Sequence, residues 1–252
     1  MVFVRRVFRI LLLSVWSLMM MAAAFVSMLF VNYWTRCRLG TFWAQVWSRG
    51  AAWLAGIRLT VHGRSGAENG CLVVSNHLGY FDVLVHASVF KIRFAPKKEI
   101  RNWPVFGWLT SLGSPIWIDR SSPQKAKEYA SQFSETMKRG ISLLVYPEGT
   151  SSDGKHGLLP FKSTPFAAAI ESKAVIVPTL MFYREKPENS PPAAWFGDIS
   201  FGAHVWRSLG IKRIEVDLYI LEKQSLFPGE DRKNAALRIH DIMEKEYWKI
   251  EN

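Results

Sequence analysis

The chain has 252 residues, 32 Lys and Arg against 21 Asp and Glu, and a formal net charge of +11. A hydrophobic fraction of 49% with only 21% charged residues excludes a disordered basic tail and is enough for a sizeable core. Two cysteines, Cys37 and Cys71, exclude a disulfide-stapled secreted scaffold and read as free thiols.

The charge is unevenly spread. No Asp or Glu precedes Glu68, and the same stretch holds eight arginines and no lysine: Arg5, Arg6, Arg9, Arg36, Arg38, Arg49, Arg58 and Arg64. The remainder carries 24 basic and 21 acidic residues, an ordinary soluble balance. Residues 10–31 (ILLLSVWSLMMMAAAFVSMLFV) form a 22-residue run without a charge. As a helix the run is about 33 Å long, roughly the hydrocarbon thickness of a bilayer. Arginines flank it, and Tyr33 and Trp34 at its edge suit interfacial depth. A cleaved signal peptide fits less well, because the apolar run continues past Ala22-Ala23-Ala24. A buried soluble helix fits less well, because there is no polar face. The helix either crosses the bilayer or folds into a hairpin with the next segment in one leaflet.

That next segment, 41–55 (TFWAQVWSRGAAWLA), puts Trp43, Val46, Trp47 and Leu54 on one helical face and Gln45, Ser48 and Arg49 largely on the other. It fits a membrane-interface helix and equally fits packing against the main domain. A nucleic-acid arm would be polar and Lys-rich, so no nucleic-acid partner is expected. Residues 1–56 are expected to be a membrane anchor with its amphipathic helix and 57–252 the main folded domain.

From residue 57 short apolar runs alternate with helix-like stretches. The expected strands are 57–62, 71–75, 92–95, 115–118, 142–146, 175–182 and 213–221. The expected helices are 81–89, 103–112, 123–138, 165–171 and 231–248. The alternation predicts an α/β fold with a mixed, largely parallel sheet flanked by helices.

Two stretches carry chemistry. Ser75-Asn76-His77-Leu78-Gly79-Tyr80-Phe81-Asp82 runs from a strand into a helix. A five-residue offset separates side chains by about 140° on a helix, so His77 and Asp82 meet only across the strand-to-helix turn. A carboxylate that orients an imidazole makes a general base. The bland reading is a helix start with an exposed histidine. The second stretch, Tyr146-Pro147-Glu148-Gly149-Thr150-Ser151-Ser152-Asp153-Gly154, is a loop whose backbone N–H groups suit anions. It approaches a P-loop at Gly149 to Lys155, but His156 stands where Ser or Thr would bind magnesium, and Pro160 limits any helix. Between them lie Lys97-Lys98-Glu99, Pro104-Val105-Phe106-Gly107 and Ile118-Asp119-Arg120, an Arg that closes a predicted strand.

In this order the blocks resemble the 1-acylglycerol-3-phosphate acyltransferase (PlsC-type) family. Asn-His-x4-Asp, Lys-x-Glu with Pro-x-x-Gly and Ile-Asp-Arg, Pro-Glu-Gly-Thr, and the late Val177-Pro178 all match. The resemblance implies a membrane enzyme that moves an acyl chain from acyl-CoA or acyl carrier protein onto a lysolipid hydroxyl. It implies His77 as the general base and Asp82 as its partner. It implies Arg120 with Glu148, Gly149 and Thr150 around the acceptor's polar head, with Asn76 and Lys98 as further substrate-binding candidates. A thioester is already activated, so no metal or cofactor is called for. The implied location is the cytoplasmic face of a bacterial inner membrane. Three positions depart from the family pattern: Gly79 for Ser, Ser151 for Arg and Thr164 for Gly. Losing the Arg weakens the fit to a phosphomonoester head. The run from Pro147 with Leu159-Pro-Phe-Lys-Ser resembles the branch that includes lyso-ornithine lipid acyltransferases, whose acceptor head is zwitterionic.

Overall fold

The computed structural model describes residues 1–63, 69–103, 105–119, 123–184 and 193–251. Helices α1 (Val2–Ser27) and α2 (Tyr33–Ala55) lead into strand β1 (Ile57–His62). Then follow β2 (Leu72–Ser75), α3 (Tyr80–Val89), β3 (Ile92–Phe94), a 3-10 turn at Lys98–Asn102, α4 (Phe106–Leu112) and α5 (Pro123–Lys138). The rest is β4 (Ser142–Val145), α6 (Thr164–Ser172), β5 (Ile176–Arg184), α7 (Phe201–Ser208), β6 (Ile214–Ile220) and α8 (Arg232–Glu251).

One sheet runs in the order β1-β6-β5-β2-β4-β3. Strands β5, β2, β4 and β3 are parallel; β6 turns antiparallel to β5, and β1 is parallel to β6. The mixed, largely parallel sheet is the expected one. Every residue of β2 and of β4 is buried, as strands covered on both faces require. The pleat sorts them: Val73 and Leu144 join Phe81, Val85 and Val177 on one face, and Leu72, Val74, Leu143 and Val145 join Phe133, Phe166 and Ile239 on the other.

Three expectations change. Residues 115–118 form no strand; Ile118 makes only an isolated bridge to Lys97. Pro96 and Pro115 have no N–H to continue a ladder, although Ile116 and Ile118 still donate to Phe94 and Pro96 carbonyls. The helix expected over 103–112 starts at Phe106, after Val105 takes a positive φ of 65°. Helix α7 was not expected; it is eight residues long with Gly202 in its first turn.

The N-terminal region also differs in its details. Helix α1 begins before the uncharged run, so Arg5, Arg6 and Arg9 lie inside it rather than beside it. It ends at Ser27, and the Asn32 side chain caps α2 by accepting from Thr35 N at 2.9 Å. The two helices pack as an antiparallel hairpin. Trp16 Nε1 donates to Trp47 O at 3.0 Å, Trp47 Nε1 to Ser17 Oγ at 3.0 Å and Trp43 Nε1 to Ser27 Oγ at 2.8 Å. So the Trp face of α2 meets α1. Its polar face meets the catalytic domain: Gln45 Nε2 donates to Val89 O at 2.9 Å and Arg49 Nε to Ser88 O at 2.8 Å. The segment thus packs its polar face on the main domain and its Trp face on α1, while Phe42 and Trp53 remain exposed. Helix α1 is long and apolar enough to cross a membrane, and only 11% of its apolar window is buried. That rules out the buried-helix reading. Val4, Phe8, Leu11, Val15 and Leu18 are exposed along it.

Candidate active site

The site is built where β2 ends. Beyond Ser75 the chain leaves the sheet, turns through His77 and Leu78, and enters α3. Asp82 is the third residue of that helix. Its Oδ2 accepts from Gly79 N at 2.9 Å and from Leu78 N at 2.5 Å, so orphan donors at the helix start hold the carboxylate. The same oxygen meets His77 Nδ1 at 2.7 Å. Tyr183, on β5, donates to Asp82 Oδ1. Asp82 is fully buried, while the His77 side chain remains 23% exposed.

A carboxylate accepts only, so His77 carries its proton on Nδ1 and leaves the Nε2 lone pair free for a substrate proton. The ring is fixed on one face by Tyr146, stacked at 4.1 Å and 14°. Behind it, fully buried His86 sits one helical turn after Asp82. Its Nδ1 lies 2.8 Å from Asp82 O and its Nε2 3.1 Å from Thr179 Oγ1. Burial pushes the His86 imidazole down to about 4, so this histidine stays neutral and braces the turn. Tyr183, Thr179 and His86 lie outside the two motif stretches, and Tyr146 only opens the second of them. The i+4 spacing of His86 from Asp82 was the one available signal.

The Pro-Glu-Gly-Thr loop comes alongside. Ser152 N donates to His77 O at 2.9 Å. Glu148 is 6% exposed, and neither carboxylate oxygen has a hydrogen-bond partner of good geometry. Burial pushes its carboxyl up to about 8; the backbone N–H groups of His77 and Leu159 oppose that shift and the Asp82 charge adds to it. Glu148 is therefore a neutral acid at pH 7. Gly149 has φ of 75°, and a Cβ there would lie 2.4 Å from Lys162 Nζ. The Lys162 side chain thus packs against this loop at Gly149. Thr150 is exposed at the loop's tip.

Other expected site residues behave differently. Asn76, expected to touch substrate, is 2% exposed and fully engaged with β5. Its Nδ2 donates to Met181 O at 2.9 Å and its Oδ1 accepts from Met181 N at 2.8 Å. The amide imitates a backbone group where the β2–β5 ladder ends, which explains an Asn here without a substrate. Lys98 is exposed and pairs with Asp119 at 3.4 Å. Arg120 lies outside the described residues. No helix opens after Lys155, so the P-loop reading fails on context; α6 starts at Thr164. Among the described residues there is no group of three His, Cys, Asp or Glu placed to hold a metal.

An oriented imidazole backed by a buried carboxylate is suited to act as a general base on an incoming hydroxyl. Residues 58–181 match the Acyltransferase family. A 1-acyl-sn-glycerol-3-phosphate acyltransferase of Neisseria gonorrhoeae is 28% identical over 172 residues, 68% of this chain and 67% of that protein. A lyso-ornithine lipid O-acyltransferase of Rhodobacter capsulatus is 33% identical over 166 residues, 64% of this chain and 59% of that protein. The crystal structure of the 1-acyl-sn-glycerophosphate acyltransferase PlsC of Thermotoga maritima superposes with a TM-score of 0.67 at 16% identity, covering 98% of this chain and 96% of that one. Residues 58–181 thus form an Acyltransferase-family domain, and the chain shares the fold of the Thermotoga maritima enzyme.

Proposed function

We propose that the protein transfers a fatty acyl chain from a thioester to the free hydroxyl of a membrane lysolipid. The observation that carries this reading is the His77 Nδ1–Asp82 Oδ2 contact of 2.7 Å beside the buried Glu148 loop. His77 Nε2 takes the hydroxyl proton as the oxygen attacks the thioester carbonyl. The carbon–sulfur bond then breaks, and the imidazolium returns the proton to the leaving thiolate. Asp82 stabilises the imidazolium between the two steps. The Glu148-Gly149-Thr150 loop with Lys162 holds the acceptor's head group. Acyl-CoA and acyl carrier protein are the candidate donors.

The two curated relatives point to two acceptors, lysophosphatidate and lyso-ornithine lipid. Lysophosphatidate is the first choice. Ser151 in place of an arginine supports the second.

The hairpin sits in one leaflet, on the cytoplasmic face of a bacterial inner membrane. Support comes from α1 being tied along the domain: Arg9 binds the carbonyls of Leu209, Ile211 and Lys212. A helix held that way lies beside the domain with its apolar outer face free for lipid.

The test is acyl transfer by the full chain in vesicles, wild type against His77→Ala. Each of the two acceptors is offered with acyl-CoA and with acyl carrier protein. Wild-type transfer to one acceptor and loss of it in the variant support the reading. Equal rates overturn the mechanism. Vesicle binding without any transfer makes the protein a lipid-binding module instead.

A further inference from the structure

The loop that carries Glu148 is clamped from a helix outside the matched family region. Helix α8 presents Glu244 and Tyr247 to residues 154–158. Leu158 N donates to Glu244 Oε2 at 2.7 Å, and the Tyr247 hydroxyl donates to Gly154 O. Trp248 Nε1 donates to Glu244 Oε1 at 2.8 Å and so fixes the carboxylate that receives Leu158. The fit is close: a Cβ at Gly157 would lie 2.4 Å from Glu244 Oε1. Tyr247 is 1% exposed and its ring packs on Phe182 at 5.0 Å.

The clamp leads to the chemistry. Gly154 rests against Leu78, the residue after His77; a Cβ at Gly154 would lie 2.6 Å from Leu78 Cδ2. Two residues earlier, Ser152 N holds His77 O. The stretch 149–163 has no helix or strand of its own, so its shape depends on contacts at its ends and on α8. Trp248 is exposed and Glu244 only part-buried, so this contact lies at the rim of α8, beside the face that packs into the core. The arrangement makes sense if the loop must be held in one conformation.

We propose that Glu244 and Tyr247 are positioning residues that hold the 148–158 loop in its acceptor-binding shape. The proposal rests on the reading of that loop as the acceptor's seat. Neither residue touches the reacting atoms; they act through Leu158 and Gly154. Specificity for the acceptor is thereby shared with the last helix of the chain.

The experiment measures kcat and both KM values for the full-length Tyr247→Phe, Glu244→Gln and Glu244→Ala variants in vesicles, with amide hydrogen exchange at Leu158. Tyr247→Phe keeps the packing on Phe182 and removes only the hydroxyl. Its acceptor KM rises about 3–10-fold, the donor KM holds, and kcat changes less than the acceptor KM. Glu244→Ala has the larger effect. Glu244→Gln falls between, because its amide oxygen still accepts from Leu158 N. Leu158 exchanges faster in all three. A general structural role would lower stability without separating the two KM values. Unchanged acceptor KM in folded Tyr247→Phe and Glu244→Ala overturns the proposal, as does an equal rise in donor KM. Wild type that acylates no lysolipid overturns the acceptor reading itself; an active wild type with unaltered variants overturns only this inference.

Discussion

Tyr183 reaches Asp82 across 101 positions of sequence and donates its hydroxyl to Oδ1, the carboxylate oxygen that His77 does not use. The buried carboxylate thus receives His77, two helix-start N–H groups and a phenol. A buried charge is tolerable only when its lone pairs are met this fully. Tyr183 also lies on β5, so the sheet itself sets where Asp82 can sit.

Tyr183→Phe removes a hydrogen bond to a charged group and leaves the ring in place. Stability should fall by about 1.5–3 kcal/mol in denaturant titration. kcat should fall with it, because Asp82 is freer to rotate away from His77.

His77→Ala should reduce kcat by about 10²–10⁴-fold with little change in either KM. Steady-state kinetics on both substrates checks this. A variant at or above one tenth of wild-type kcat would remove His77 from the chemistry.

Glu148 gives a pH test. Its carboxyl is lifted from 4.5 to about 8, so the native state holds a proton that the unfolded chain has already released. Stability from this group is full below about 4.5, declines as pH rises, and is gone above about 8. Glu148→Gln mimics the neutral acid and should flatten that decline in melts taken from pH 5 to pH 8. It should also keep activity above pH 8 where wild type loses it. A steeper decline in the variant would contradict a neutral Glu148.

Gly79 stands where serine is usual in the family. The Trp195 N–H donates to Leu78 O at 2.8 Å, and a Cβ at residue 79 would lie 2.9 Å from Trp195 N. The neighbour here is backbone and cannot simply swing aside. Gly79→Ser should therefore destabilise by about 1–3 kcal/mol and lower activity rather than restore a family optimum. Thermal melts and kcat of the purified variant decide it.

Arg9→Ala separates docking from lipid binding. Arg9 gives its donors to three carbonyls just after α7, where the helix dipole favours a cation. The variant should lose about 1–2 kcal/mol of stability while binding anionic vesicles much as wild type does. Loss of vesicle binding with unaltered stability would reverse that assignment.

Much of the site was legible because it lies in short ordered blocks. His77 and Glu148 follow strand ends and Asp82 lies in the first turn of the next helix, and the strand-to-helix turn that joins His77 to Asp82 follows from local pattern. Asn76 shows the limit. Its place in the block suggested substrate, but its amide completes the edge of β2 against Met181, a partner over a hundred positions away. Tyr183 and Thr179 lie inside a buried apolar strand, where a hydroxyl looks like any other core position until its partner is known.

The N-terminal charge teaches the same lesson. The sequence alone determined that eight arginines crowd around a bilayer-length apolar helix, because composition and spacing need no partner to be read. It also determined the α/β pattern, since hydrophobic periodicity is a local property. Only the tertiary structure decided what those arginines do. Arg9, Arg38 and Arg49 reach carbonyls in the catalytic domain, and Arg36 reaches Met28 in the hairpin turn. Half of those eight arginines therefore donate to protein carbonyls. A guanidinium serves either purpose equally well; which one it serves depends on the carbonyls that folding brings within reach.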